Sequence, residues 1–453
     1  MHSYTIGAAV GVAQCPACDP YSCVAISSTF LMSSSLLLQL LVVTTIASLH
    51  VVGLKLALQR FPARTARAQR RHLVAGLAGI ALIDLPLYHL FGFYKTWHPE
   101  WIDQVYQIIT PALVILHANA TAISLALAGA WMVGRVRARF RTARTEQHPE
   151  PLESTAPRTP ALPDRRRMIQ TAGLATVGIL TSGRTLSAML TTDEHVIERV
   201  VVKIPNLAEG LRGTTMVLLS DLHSSIFMGR REMEHYVAAA NELKADIAVV
   251  TGDFVNSKLV EVYPFAEAFA GLHAPLGVYG VTGNHDYYTR EIGTVAREVE
   301  QCGITLLRNA NTSIERNGER LWLMGMDDAD IYHINQFIAS GRTEQGTIEN
   351  LVAGIPNGAP RIMLCHKPYP FEEYSALGAD LMLSGHTHGG QVVLAHLDTL
   401  NLSFASLASR YVSGLYLSRG NGRSQMYVSR GIGTVGLPMR LNCPPEITHI
   451  TLV

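Results

Sequence analysis

The chain has 453 residues, 48% of them hydrophobic and only 16% charged, with a formal net charge of +1. That length exceeds one ordinary domain, and the apolar excess excludes a pair of ordinary soluble ones. Near-neutral charge argues against a basic nucleic-acid-binding protein, so no nucleic-acid partner is expected.

Residues 1–29 carry no Lys or Arg and do not form a secretory signal; Met32 is a candidate start. Cys15, Cys18 and Cys23 fall here, but a single Cys-x-x-Cys without a second pair is a weak metal signal. Residues 30–144 read as a transmembrane region with three helices, at 30–54, 73–93 and 105–133. Each is long enough to cross a hydrocarbon core of about 30 Å, which takes about 20 residues. Trp97 and Trp101 stand where aromatic belts form. Lys55, Arg60, Arg64, Arg67, Arg70 and Arg71 follow the first span, and Arg135, Arg137, Arg139, Arg141 and Arg144 follow the third. The positive-inside rule puts both clusters in the cytoplasm and the N-terminus outside. Asp84 and His117 fall near mid-bilayer, where ionisable groups are costly, and a structural Asp–His pair is the expected reading. His50 and His89 lie nearer the span ends and need less explanation.

Residues 145–164, with five prolines, form a linker. Arg165-Arg166-Arg167 then opens a weakly apolar stretch over 165–190, which resembles a twin-arginine signal-anchor or a fourth transmembrane helix. A peripheral cytoplasmic helix is the alternative. A fourth crossing leaves the remainder, 195–453, tethered on the outer side of an inner membrane.

That remainder carries short β-branched, apolar runs at 214–220, 245–251, 278–282, 361–365 and 380–384, with amphipathic helices at 230–243 and 289–302. Strands alternating with helices imply a largely parallel α/β sheet, whose sites gather outside the carboxyl ends of the strands. A chemical motif closes each run: Asp221-Leu-His223, Gly252-Asp253, Gly283-Asn284-His285-Asp286, Cys365-His366 and Gly385-His386-Thr387-His388. Residues two apart on extended backbone point the same way, so Asp221 and His223 can hold one ion. Mixed nitrogen and oxygen ligation suits Mn, Fe, Zn or Co, with Mg also compatible. Two divalent cations clamp attacking and leaving oxygens in phosphoryl transfer. Cys365 reads as strand packing. His235, His273 and His333 read as solvated or core residues, and Asp327, Asp328 and Asp330 as a solvated loop.

In this order the motifs resemble the calcineurin-like metallophosphoesterase superfamily. The tail 428–447, with Gly389-Gly390-Gln391, resembles its membrane-associated YkuE/YaeI-like branch. The resemblance implies a four-layer α/β/β/α metallophosphoesterase sandwich with two mixed sheets, preceded here by the all-α transmembrane region. It also implies a dinuclear centre with Asp221, His223, Asp253 and His388 on one metal and Asp253, Asn284, His366 and His386 on the other. His285 is then the general acid or transition-state stabiliser, with Asp286 orienting it. The expected activity is hydrolysis of phosphodiester or pyrophosphate bonds by metal-activated hydroxide. Lipid or cell-envelope substrates are favoured by the tether and by Leu400, Leu402, Phe404 and Leu407. The alternatives are a phosphodiesterase of soluble nucleotides and a membrane scaffold with a ligand-sensing domain.

Overall fold

The computed structural model describes residues 34–60, 65–92, 100–142, 165–190, 194–205, 207–328, 347–397 and 400–453. The segment 1–29, the linker 145–164, Asp330 and His333 lie outside the described residues. The chain divides into two compact bodies, residues 1–84 with 123–155, and residues 85–122 with 156–453.

Four long helices come first: α1 (Ser34–Arg60), α2 (Ala66–Gly92), α3 (Glu100–Thr142) and α4 (Arg165–Leu190). They overlie the three expected spans and the 165–190 segment. Among the described residues, Ile109–Ala138 of α3 is the stretch long and apolar enough to cross a membrane by length and composition. In the first body α1 and α3 approach closely where Gly53 faces Ser124; a Cβ on Gly53 would lie 2.1 Å from the serine oxygen. Small residues let apolar helices meet in this way. Asp84 is met by His50, whose Nδ1 lies 3.1 Å from both carboxylate oxygens. The sequence offers no sign of this partner, because a contact 34 residues away leaves no local signal.

The second body holds two six-stranded sheets and a two-stranded hairpin. The strands are β1 (Val196–Val202), β2 (Thr215–Leu219), β3 (Ile247–Val250), β4 (Val278–Gly280), β5 (Thr305–Leu306), β6 (Ala310–Arg316) and β7 (Glu319–Gly325). After them come β8 (Arg361–Leu364), β9 (Leu381–Ser384), β10 (Ala395–Leu397), β11 (Leu400–Leu402), β12 (Gly414–Leu417), β13 (Gln425–Val428) and β14 (Glu446–Leu452). One sheet runs β1-β14-β2-β3-β4-β5 and the other β12-β13-β9-β8-β7-β6. Both are mixed: β14 is antiparallel to β2, β12 to β13 and β6 to β7, and the other pairs are parallel.

Period-two alternation explains why the central strands are apolar throughout. Met216 and Leu218 of β2, Ile362 and Leu364 of β8, and Leu381 and Leu383 of β9 pack together between the sheets. Val217 and Leu219 face outward onto α5 (Arg230–Glu242), α6 (Val262–Phe269) and, after the short α7 (Asn284–Tyr288), α8 (Ile292–Gln301). On the outer face of the second sheet Met363 and Met382 pack with Leu351 of α9 (Thr347–Val352) and with Phe371 and Tyr374 of α10 (Phe371–Ala376). A last helix, α11 (Phe404–Ala408), follows the hairpin. Helices, two sheets and helices therefore make the four layers implied by the resemblance.

Candidate metal centre

Strand direction brings the motifs together. Asp221 and His223 follow β2, Asp253 follows β3, and Asn284 to Asp286 follow β4, three mutually parallel strands. His366 follows β8, and His386 and His388 follow β9, again parallel. Backbone bonds lace the loops: Asp221 and His223 donate N–H to the Gly252 and Asp253 carbonyls, and Gly385 to that of His366. The His386 N–H reaches across to the Asp221 carboxylate at 2.9 and 3.1 Å, joining the two sheets at the centre.

The side chains converge in a way that a bound cation would account for. His223 Nε2 lies 2.9 Å from His388 Nε2, and His386 Nδ1 lies 3.3 Å from His366 Nε2, so ring nitrogens face one another. Asp253 Oδ2 stands 3.1 Å from His366 Nε2 and 3.5 Å from His223 Nε2, between the two groups. Asp221 with His223 and His388, and Asp253 with His366 and His386, each offer ligand atoms within 4.8 Å of one another. The Asn284 carbonyl oxygen is buried without a hydrogen-bond partner, an orphan that a metal would satisfy. His366 Nδ1 donates to the Thr251 carbonyl at 2.7 Å, which presents Nε2 as the ligand nitrogen. Asp221, His223, Asp253, His386 and His388 all adopt positive φ, from 47° to 72°. That is a costly backbone for residues with a Cβ and is concentrated at functional sites.

Electrostatics agree with the donor set. Burial keeps His223, His386 and His388 well below the usual imidazole range, helped by His285, His366 and Arg440 respectively. Burial pushes Asp221 up to about 6. It would raise Asp253 too, but His366, His285 and His223 hold that carboxyl well below its ordinary range. Burial pulls His366 down, yet Asp253 and Asp221 carry it up to about 10, so a metal entering there displaces a proton. Three neutral imidazoles and an ionised carboxylate, with His366 able to give up its proton to an entering ion, fit divalent metal ions.

His285 stands at the same centre, its ring 4.5 Å from that of His223 and its N–H donated to Asp253 Oδ1 at 2.8 Å. Its Nδ1 meets the Asn256 carbonyl at 2.6 Å. Asp286 accepts from the N–H groups of Gly283 and Val255, at 2.8 and 3.2 Å, so it shapes the loop that carries His285. A backbone carbonyl thus meets the ring directly, and Asp286 acts on the loop beneath it. The acidic cluster needs a larger correction. Asp327 and Asp328 are buried, 4% and 5% exposed, instead of solvated. Asp327 accepts from Thr282, Tyr287 and Arg308, and Asp328 from Lys367 Nζ at 2.7 Å. Arg308 and Lys367 offset the charge and make burial affordable.

Two exposed tyrosines border the centre, Tyr369 in the Lys367-Pro368-Tyr369 run that departs from the family pattern and Tyr288, which the sequence does not single out. Tyr288 lies 4.7 Å from the His285 ring and Tyr369 5.6 Å from that of His386, both partly exposed. An aromatic residue within three positions of a ligand motif is the available signal. Cys365 is buried in strand packing, and His235 and His273 are exposed on the surface, as expected.

Residues 214–390 match the family described as calcineurin-like phosphoesterase. A zebrafish (Danio rerio) transmembrane protein with metallophosphoesterase domain is 32% identical over 258 residues, 56% of this chain and 56% of that protein. The metallophosphoesterase YkuE of Bacillus subtilis is 27% identical over 287 residues, 62% of this chain and 94% of that protein. Phosphodiesterase YaeI of Escherichia coli is 30% identical over 248 residues, 52% of this chain and 82% of that protein. The chain spans about half the length of the zebrafish relative.

Proposed function

The chain belongs to the calcineurin-like metallophosphoesterase family, and from that premise we propose a membrane-anchored, dinuclear metal-dependent hydrolase of phosphodiester or pyrophosphate bonds. The observation that carries the proposal is the convergence of two ligand groups on Asp253, with five of the seven ligands held on strained, left-handed backbone. Asp221, His223, Asp253 and His388 hold one divalent ion, and Asp253, Asn284, His366 and His386 hold the other. Bound there, the ions supply Lewis acidity toward phosphoryl oxygens and lower the pKa of water.

The chain's own groups do the rest. The Asn256 carbonyl takes the His285 Nδ1–H, so Nε2 is the nitrogen that, in the protonated ring, would give its proton to the leaving oxygen and leave the ring neutral. Asp286 holds the loop that positions His285. Tyr288 and Tyr369 flank the leaving group and narrow access to water.

Four helices anchor the enzyme, with the arginine clusters in the cytoplasm and the catalytic domain outside. Support comes from the apolar stretch Ile109–Ala138, the three arginines that open α4, and relatives named as transmembrane proteins. The tether favours a lipid or cell-envelope phosphate ester as substrate.

The test is metal content and turnover of the full-length protein. Wild type should bind divalent metal and hydrolyse bis-p-nitrophenyl phosphate and a component of membrane lipid extract. Asp253→Asn should lose metal. His285→Ala should keep it and lose about 10²- to 10⁴-fold in rate on alkyl esters, with a smaller loss on p-nitrophenyl esters, whose leaving group needs no proton. A metal-free, inactive wild type would leave only the scaffold reading, and parental rates in His285→Ala would remove the acid role.

A further inference from the structure

We propose that the hairpin β10–β11 and helix α11 form a membrane-docking surface beside the metal centre, seated on the acyl-chain boundary of the phospholipid bilayer. The inference rests on the membrane anchoring proposed above. The hairpin is tied to the end of α4 by a continuous chain of contacts. Arg184 Nη2 donates to Asn442 Oδ1 at 2.9 Å, Asn442 Nδ2 donates to the Val393 carbonyl at 2.8 Å, and His396 Nε2 meets the Asn442 carbonyl at 3.0 Å. The Arg440 N–H donates to the Ala188 carbonyl at 3.2 Å.

Apolar packing places the hairpin. Ala188 of α4 and Met439 of the tail pack with Val114 of α3, joined by Val392, Leu437 and Leu441. Val114 belongs to the helix that is long and apolar enough to cross a membrane. The tail and the base of the hairpin therefore stand against that apolar helix.

The side chains of the segment suit lipid. Leu394, Leu402 and Leu407 are 68%, 40% and 79% exposed. Between Gln391 and Ser409 the sequence has a single charged residue, Asp398. Surface leucines scattered singly need no explanation, but these fall on one segment that is fixed to an apolar helix end. Gln391 opens the segment three positions after His388 and is bonded to the Val435 and Leu437 carbonyls. The metal loop and the lipid-facing segment are thus one piece of chain, so docking of the segment would bring the centre to the bilayer surface. The partner is the bilayer itself, and the substrate class is an amphiphilic phosphate ester.

Full-length protein in phosphatidylcholine and phosphatidylglycerol nanodiscs tests this, with p-benzoyl-phenylalanine replacing Leu407 in one sample and Val201 in another. Val201 is 59% exposed and pairs in register with Thr451, itself opposite Thr215 at the start of β2, at the sheet end away from the metal loops. Irradiation should yield a protein–phospholipid adduct from position 407 and none from 201. No adduct at 407, equal adducts at both positions, or a crosslink from 407 to a second copy of the chain would overturn the proposal. Metal content and bis-p-nitrophenyl phosphate turnover of the same samples report separately on the hydrolase, so an active protein without an adduct refutes only the docking surface.

Discussion

Gly385→Ala isolates the positional demand that the centre places on one ligand. The backbone of Gly385 lies outside the left-handed region, so alanine adds a Cβ without φ strain. That Cβ would stand 2.2 Å from Asp221 Oδ2 and 2.0 Å from Ser220 Oγ. Non-bonded heavy atoms settle near ~3.5 Å, so the carboxylate must retreat by on the order of 1 Å. Retreat is not free, because the carboxylate accepts the His386 N–H and Ser220 Oγ accepts from Thr251 Oγ1 at 2.8 Å in a buried site. Functional constellations tolerate about 0.5 Å, and a displacement of about 1 Å costs roughly 10²-fold in rate. The variant should therefore lose metal at the Asp221–His223–His388 group and fall by about 10²-fold in kcat/KM toward bis-p-nitrophenyl phosphate. Metal stoichiometry by plasma emission and steady-state rates measure both. Gly293→Ala is the control, since nothing lies within 4 Å of its Cβ in α8, and it should stay active while gaining about 0.5–1 kcal/mol. Full metal content and near-parental kcat/KM in Gly385→Ala would refute the argument.

Glu261 accepts N–H bonds from Asn256, Ser257 and Lys258 under the loop that orients His285, and burial raises its carboxyl to about 7. The folded state then holds a proton that the unfolded state, near 4.5, has released. Stability falls as pH rises from about 4.5 to about 7, by up to about 3 kcal/mol, and is flat above. Glu261→Gln should remove that slope from the thermal midpoint measured between about pH 5 and about pH 8, and parallel curves for the two proteins would contradict it. Lys367→Met strands the buried Asp328 carboxyl and should destabilise by about 3–5 kcal/mol, whereas Lys367→Met with Asp328→Asn should recover most of the loss. Chemical denaturation of the two variants reads this directly, and equal losses would mean that the pair is uncoupled.

The candidate ligands are legible because their chemistry is carried by residue type at strand ends, and strand ends are marked by where β-branched runs stop. The five site-bearing strands were expected at 214–220, 245–251, 278–282, 361–365 and 380–384, and they begin and end within two residues of those positions. What stayed hidden depends on partners remote in sequence. Asp327 and Asp328 look like a solvated acidic turn until Arg308, 19 residues away from Asp327, and Lys367, 39 residues away from Asp328, are folded against them. The orienting partner of His285 was hidden for another reason. A backbone carbonyl can come from any residue, so nothing in the identity of Asn256 announces it.

The left-handed φ values join these two observations. A residue such as His388 would not choose φ 52° from its own preferences, and its neighbours must impose it. Glycines on adjoining loops make that possible: a Cβ on Gly431 would meet that of Asp221 at 2.7 Å, and one on Gly433 would meet the Leu222 carbonyl at 2.2 Å. Gly433 also donates its N–H to the Asp221 carbonyl, and Ile432 donates to that of Ser220. The tail 428–447 therefore closes over the first motif and helps hold its ligands in a backbone they would otherwise leave. The same tail carries the contacts to α4. The contacts to α4 and the geometry at Asp221 are consequently borne by one segment, and a disturbance at Met439 or Arg440 should reach Asp221 through Gly433.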